Sequence, residues 1–234
     1  MKVSLIVPAL NEEESLSGVL AQVPRKAVAD IVVVDNGSSD RTATVARQAG
    51  ARVVRENARG YGAACWTGFR ATDAEILVFM DGDGSFSPAD IPKLTEPIIQ
   101  GDADLVLGSR TLRAEDARAI PMHARWGNRF IAGIIGLASQ VRTSDLGPFR
   151  AIRREALARL HMKERTYGWP SEMIIKAGKL GCRVLEVPVS YRPRTGGKSK
   201  VSGNFLGSLK ASYSMLKTVA RWSLWDPNRN SFQK

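Results

Sequence analysis

Residues 77–85 read LVFMDGDGS: four apolar residues run straight into two aspartates separated by a glycine. An unpaired charge is too costly to bury, so Asp81 and Asp83 must face water or a cation at the lip of a buried strand. D-G is also a common turn dipeptide, and a plain polar turn is the alternative. The elements that carry the two carboxylates decide between these readings.

From its start the chain alternates short β-branched runs with helical stretches. VSLIVPA (3–9) is a strand. NEEESLSGVLAQV (11–23) is an amphipathic helix with Leu16, Val19, Leu20 and Val23 on one face, Asn11 as its cap and three glutamates at its positive end. DIVVVDNGSSD (30–40) is a buried strand leaving into a polar turn, and RTATVARQAG (41–50) is a helix capped by Asp40 and stopped at Gly50. ARVVREN is a strand, 60–71 a helix opened by glycines, and 74–81 a central strand. Helix–strand packing is enough to explain Gly60 and Gly62.

Continuous apolar strands alternating with helices specify an α/β fold, a Rossmann-like, mostly parallel sheet with helices on both faces. Ligands of such sheets gather at the C-terminal tips of the strands. Asp35 and the Asp81/Asp83 pair both fall there, which favours a ligand over a bland turn.

The second half is less regular. DLVLGSR (104–110) is a strand ending in Arg110, 111–128 reads as a polar, basic surface loop, and 129–141 as an apolar helix. SDLGPFRAIRREAL (144–157) holds a turn, a strand and a helix start. A helix over 171–180 and a strand over 183–191 follow, then the basic loop RPRTGGKSKVSG and a last amphipathic segment, 204–225.

The 234 residues carry a formal net charge of +11, which suits polyanionic partners. No zinc-finger spacing, aromatic-glycine RNA motif or helix-turn-helix is present, so phosphate ligands and membrane are favoured over nucleic acid. Cys65 and Cys182, far apart in apolar contexts, read as reduced core residues of a cytosolic protein. No stretch reaches the eighteen or so apolar residues of a spanning helix, and the N-terminal apolar run, broken by Pro8, reads as a core strand rather than a signal peptide.

Four stretches in order carry a family pattern: VPALNEEE, VVVDNGSSDRT, FMDGDGS with GSR after it, and EVPVSYRPRTGGKSK. Together they resemble the family-2 glycosyltransferases of GT-A fold, with the polyprenyl-phosphate (dolichyl-phosphate) mannose and glucose synthases as the best likeness. The resemblance spans roughly residues 2–203, leaving 204–234 as an amphipathic C-terminal helix and tail. It implies that Pro8, Ala9, Leu10 and Glu12 hold the donor's base and ribose, and that Asp35 reads the base. It implies that Asp81 and Asp83 are a D-x-D pair for Mg²⁺ or Mn²⁺ on the donor diphosphate, where the cation offsets leaving-group charge. Gly82 would let the backbone approach the donor. Arg110, Arg194 and Lys200 are the expected phosphate clamps, the last two on a glycine-containing lid; a solvated basic hairpin and a strand-end arginine are the plain alternatives.

Two acceptors remain open. A polyprenyl phosphate is already ionised and needs no base, whereas a lipid or sugar hydroxyl would need one. Glu172, at a helix start, is the candidate base, or an acid placed there by the helix dipole. Asp145 and Arg150 fall on the acceptor side, where Asp145 either holds Arg150, orients the acceptor or caps a turn. The implied function is inverting transfer of a hexose from GDP-mannose or UDP-glucose to a polyprenyl phosphate, with a lipid or sugar hydroxyl as the alternative acceptor, by a peripheral protein on the cytoplasmic side of an anionic membrane. The rival from another class is a non-catalytic nucleotide or nucleic-acid binding protein. The tail, with Phe205, Leu206, Leu209, Tyr213, Leu216 and Val219 or Ala220 on one face and Lys210, Lys217 and Arg221 beside them, either lies on the membrane or packs on the sheet.

Overall fold

The computed structural model describes residues 1–113, 115, 117, 120–196 and 205–226. Its centre is a seven-stranded sheet. The strands are β1 (Val3–Ala9), β2 (Asp30–Asp35), β3 (Arg52–Arg55), β4 (Ile76–Phe79), β5 (Leu105–Ser109), β6 (Arg150–Arg153) and β7 (Val184–Pro188). They lie in the order β3-β2-β1-β4-β6-β5-β7. All pairings are parallel except those of β6, which runs against β4 and β5.

Side chains alternate across a strand, and the two cores follow that period of two. Ile6, Val32, Val34, Leu77, Phe79, Leu105, Leu107 and Ile152 enter one core with α3 (Tyr61–Ala71), α5 (Met122–Ser139), α6 (Arg154–Arg159), α7 (Trp169–Lys179) and α8 (Phe205–Ser223). Leu5, Val7, Val33, Val78, Val106 and Ala151 enter the other with α1 (Leu16–Ala21), α2 (Thr42–Gln48) and α4 (Ile91–Ile99). Burial on both faces explains why the central strands read as unbroken apolar runs.

Three elements differ from the sequence expectation. Helix α1 starts at Leu16, not at the glutamates. Asn11 takes φ +52 and accepts from the Ser39 amide instead of capping the helix, while the Glu12 and Glu13 amides donate to Thr42 and Asp40. The acidic run is thereby tied to the 38–42 turn at the sheet edge. Helix α5 begins at Met122 behind Pro121, so residues 122–128 of the expected basic loop are helical. Ile131, Ala132 and Ile135, within the stretch expected as an apolar helix, are its inward residues.

The third concerns the tail. Helix α8 packs against α5 and α7, burying Thr218, Val219 and Trp222, whereas Tyr213, Leu216 and Ala220 of the expected apolar face are exposed. Lys179 donates to the Ser223 and Trp225 carbonyls and ties the helix end to α7. The C-terminal end of this helix is therefore docked on the core. The boundary at 203/204 and the side chains of Phe205, Leu206, Leu209 and Lys210 lie outside what is described.

Helix α3 approaches the sheet through Gly68, where a Cβ would collide with the Ile6 side chain. Overpacking of this kind costs about 1–3 kcal/mol, so Gly68→Ala should lower the urea midpoint accordingly with an unchanged m-value.

Candidate functional site

The site is assembled on one edge of the sheet, where β1, β2, β4 and β5 end and β6 begins. Pro8 and Ala9 lie beside Val34 and Asp35 in register. Leu10 follows at the turn. Asp35 is nearly buried and accepts from the Ser38 amide. The next residue, Asn36, does more than the sequence suggested. Its side chain donates to the Glu56 and Ala58 carbonyls and accepts from the Gly60 amide, holding the 56–60 loop beside the tips of β1 and β2.

Asp81 and Asp83 follow β4 and are half-buried. Burial, Asp83 and Glu12 push the Asp81 carboxyl up to about 7, against the opposing charges of Arg110 and Arg194. A group raised this far is an acid placed among acids, and a cation would relieve it. Both are hard oxygen donors of the kind Mg²⁺ and Mn²⁺ take. Among the described residues no set of three His, Cys, Asp or Glu is placed so that all three could hold one metal ion. A cation here would therefore take the two carboxylates and complete its shell with water or ligand oxygens.

Gly82 between them is needed for packing. A side chain there would press on Leu16 and Val7, and its carbonyl accepts from the Ser15 hydroxyl. Ser15 thus fastens α1 to the aspartate turn, a contact no motif announced.

The chain after β7 folds over this turn. Phe86 bridges Tyr191, the Arg192 amide donates to Ser85, and the Thr195 amide donates to the Asp83 carbonyl. Arg194 reaches Glu12 at 3.0 Å and Asp83 at 3.8 Å. Arg194 thus stands beside the aspartate turn, held by carboxylates. Lys200 lies outside the described residues.

Arg110 has a different part. Its guanidinium makes two 2.7 Å bonds to Asp145 and lies 5.1 Å from the Tyr191 ring centroid. Burial would raise the Asp145 carboxyl, but the charge and hydrogen bonds of Arg110 overcome this and hold it below the usual range. Asn128 on α5 also donates to Asp145, and Glu186 on β7 accepts from the Ser144 and Asp145 amides. Instead of an open clamp, Arg110 is the bolt between β5, the 143–146 turn and Tyr191. Asp145 accordingly holds Arg110, not Arg150.

Two further expectations are corrected. Arg150 is buried, donating to the Pro170 and Gly147 carbonyls with its Nε left without a partner, so it braces the layer beneath the site. Glu172 is fully buried: it pairs with Lys176 at 2.6 Å and accepts from the Lys163 and Glu164 amides. A general base must reach an acceptor proton, and this carboxylate has every lone pair turned inward. Lys176 in turn donates to the His161 carbonyl and lies 3.8 Å from the centroid of Trp222. Gly60 and Gly62 do serve packing, since a Cβ at either would strike the backbone of 164–165.

The sequence profile of glycosyl transferase family 2 matches residues 4–160, the stretch holding β1 through β6 and the aspartate pair. The chain belongs to this family. An undecaprenyl-phosphate mannosyltransferase of Micrococcus luteus is 32% identical over 237 residues, 95% of this chain and 96% of its own. A dolichyl-phosphate hexose transferase of Haloferax volcanii is 34% identical over 197 residues, 82% of this chain and 84% of its own. An uncharacterized glycosyltransferase of Mycobacterium tuberculosis is 43% identical over 218 residues, 93% and 98% respectively. Among solved structures, glucosyl-3-phosphoglycerate synthase from Mycobacterium tuberculosis, in complex with Mn²⁺, UDP-glucose and phosphoglyceric acid, superposes with a TM-score of 0.78. It is 23% identical and covers 95% of this chain and 79% of that one. The family 2 glycosyltransferase described here has the GT-A fold.

Within this glycosyltransferase, Glu172 and Lys176 are a buried pair whose partners hold the 161–165 loop and α8. Removing one charge of such a pair costs about 3–5 kcal/mol, because the other is stranded. Glu172→Gln should lose that much in a denaturant titration. Its turnover per folded molecule should match the parent, whereas a large drop at an unchanged melt would restore the base assignment.

Proposed function

We propose that this glycosyltransferase moves a hexose from a nucleotide-diphosphate sugar, GDP-mannose or UDP-glucose, to a polyprenyl phosphate at the cytoplasmic face of a membrane, as a peripheral protein. The observation that carries the reading is the carboxylate pair at the tip of β4, with Asp81 pushed up by its acidic neighbours and Arg194 beside it. The names of the Micrococcus and Haloferax relatives support a lipid phosphate as acceptor.

Pro8, Ala9, Leu10, Glu12, Asp35 and Gly82 line the donor side, with Asp35 as the group that reads the base. Asp81 and Asp83 would hold Mg²⁺ or Mn²⁺, which when bound offsets the charge of the departing diphosphate. Arg194, already among these carboxylates, offers its guanidinium to the donor or acceptor phosphate. Lys200 joins it in this reading. The acceptor oxygen forms its bond to the anomeric carbon as the bond to the diphosphate oxygen breaks on the opposite side, so the configuration inverts. Positioning and charge stabilisation account for the rate.

A phosphate acceptor is favoured over a hydroxyl by the state of the carboxylates. Glu172 is sealed in the core, Asp145 is bound to Arg110, and Glu12 is bound to Arg194. An ionised phosphate asks none of them to remove a proton.

Release of the nucleoside diphosphate, measured across nucleotide sugars with and without undecaprenyl phosphate, tests the reading. Release should require both a sugar nucleotide and the lipid phosphate, and release indifferent to the lipid would overturn it. Asp81→Asn and Asp83→Asn should each lower the rate by about 10²-fold or more while the thermal midpoint stays within a few degrees.

A pH series supplies an independent check. A proton on Asp81 competes with a cation, so Mn²⁺ affinity should climb as pH rises through about 7 and level off above it. Calorimetric titration reads this directly, and a flat profile would remove Asp81 from the cation site.

A further inference from the structure

Helix α5 is apolar on two opposite sides. Ile131, Ala132 and Ile135 are buried against the protein, while Met122, Trp126, Phe130 and Leu137 are 71%, 70%, 65% and 88% exposed. At 3.6 residues per turn and 1.5 Å rise, these four lie within an arc of about 80° and along roughly 22 Å of helix. A surface helix ordinarily turns polar residues outward, and a contiguous apolar line marks an interaction site.

The charge around the stripe has one sign. From residue 117 to 144 the chain holds four arginines and no Asp or Glu. Arg125 and Arg129 are exposed on the same helix. Helix α8, packed against α5, adds exposed Tyr213 and Lys217. A second copy meeting this face would bring arginine against arginine, since a two-fold contact repeats the same patch. Apolar rings flanked by unopposed cations fit the boundary of an anionic bilayer.

We propose that α5 lies on an anionic lipid surface, with Met122, Trp126, Phe130 and Leu137 at the headgroup boundary and Arg125 and Arg129 paired with lipid phosphates. The buried side of the same helix carries Asn128, which donates to Asp145, and Asp145 holds Arg110 at the tip of β5. The docking helix is thus joined by two side-chain contacts to the edge where the aspartates stand. This deepens the proposed function and rests on it only for the idea that the acceptor is a lipid. It makes α5, rather than the C-terminal end of α8, the anchor.

The experiment uses the full chain and vesicles of phosphatidylcholine with or without phosphatidylglycerol, free of polyprenyl phosphate. The protein should sediment with the anionic vesicles, and less so as salt rises. The double variant Trp126→Ser/Phe130→Ser should lose at least tenfold in partitioning, with its melt and Mn²⁺–UDP binding unchanged. Arg125→Glu/Arg129→Glu should lose the preference for phosphatidylglycerol. Equal partitioning of the Trp126/Phe130 variant would overturn the proposal, as would failure of the parent to bind vesicles. So would a parent dimer, seen by light scattering, that the variant turns into a monomer without any vesicle binding, because the stripe would then be a contact between copies. Vesicle binding involves no sugar transfer, so failure of the hexosyltransferase reading would leave this result standing. Conversely, transfer to a short-chain, water-soluble polyprenyl phosphate should be equal in parent and Trp126/Phe130 variant even if neither binds vesicles.

Discussion

Negative charge crowded at the tips of β1 and β4 is the constraint around which the rest of the molecule is arranged. Asp81, Asp83 and Glu12 stand close enough to raise the first of them to about 7. Left alone, such a group would repel its neighbours and splay the turn. Arg194 meets Glu12 and Asp83 from the far end of the chain, and the Thr195 amide holds the Asp83 carbonyl. The same contacts that balance the charge also hold the segment after β7 across the sheet edge.

A second layer keeps that edge in register. Arg110 and Asp145 satisfy each other with two short bonds, and Asn128, Glu186 and Tyr191 bring α5, β7 and the segment after β7 to the same point. Behind it, the Glu172–Lys176 pair gathers the 163–164 amides, the His161 carbonyl and the Trp222 ring. The 164–165 backbone then sits against Gly60 and Gly62 at the start of α3, close enough that neither position tolerates a side chain. Buried ion pairs of this sort are a poor source of net stability, but their directional bonds select one arrangement of loops that apolar packing alone would leave free. In this chain they join the C-terminal helix to the sheet edge that carries the aspartate pair.

Much of this was legible beforehand, and for local reasons. Unbroken apolar runs in β1, β2, β4 and β5, alternating with helical stretches, specify a parallel sheet covered on both faces. Carboxylates directly after two such strands have nowhere to go but the ligand-bearing edge. Asp35, Asp81 and Asp83 are placed by that logic alone, and the four ordered motifs assign the family.

What local pattern does not contain is the identity of a side chain's distant partner. Glu172 reads as a helix-start acid and a possible base until Lys176 and two amides are seen to enclose it. Asp145 sits five residues from Arg150 in the chain, yet its partner is Arg110, thirty-five residues away. Arg194 meets Glu12 across 182 residues. The basic stretch before residue 129 reads as loop because its composition is polar, yet residues 122–128 are helical as the leading turns of a helix whose later residues Ile131, Ala132 and Ile135 are buried by contacts that only the folded chain supplies. Composition and period determine where a residue points relative to its own strand or helix. Which group it meets there, and whether it is left open to a substrate or a membrane, depends on elements far apart in sequence, and tertiary packing alone decides it.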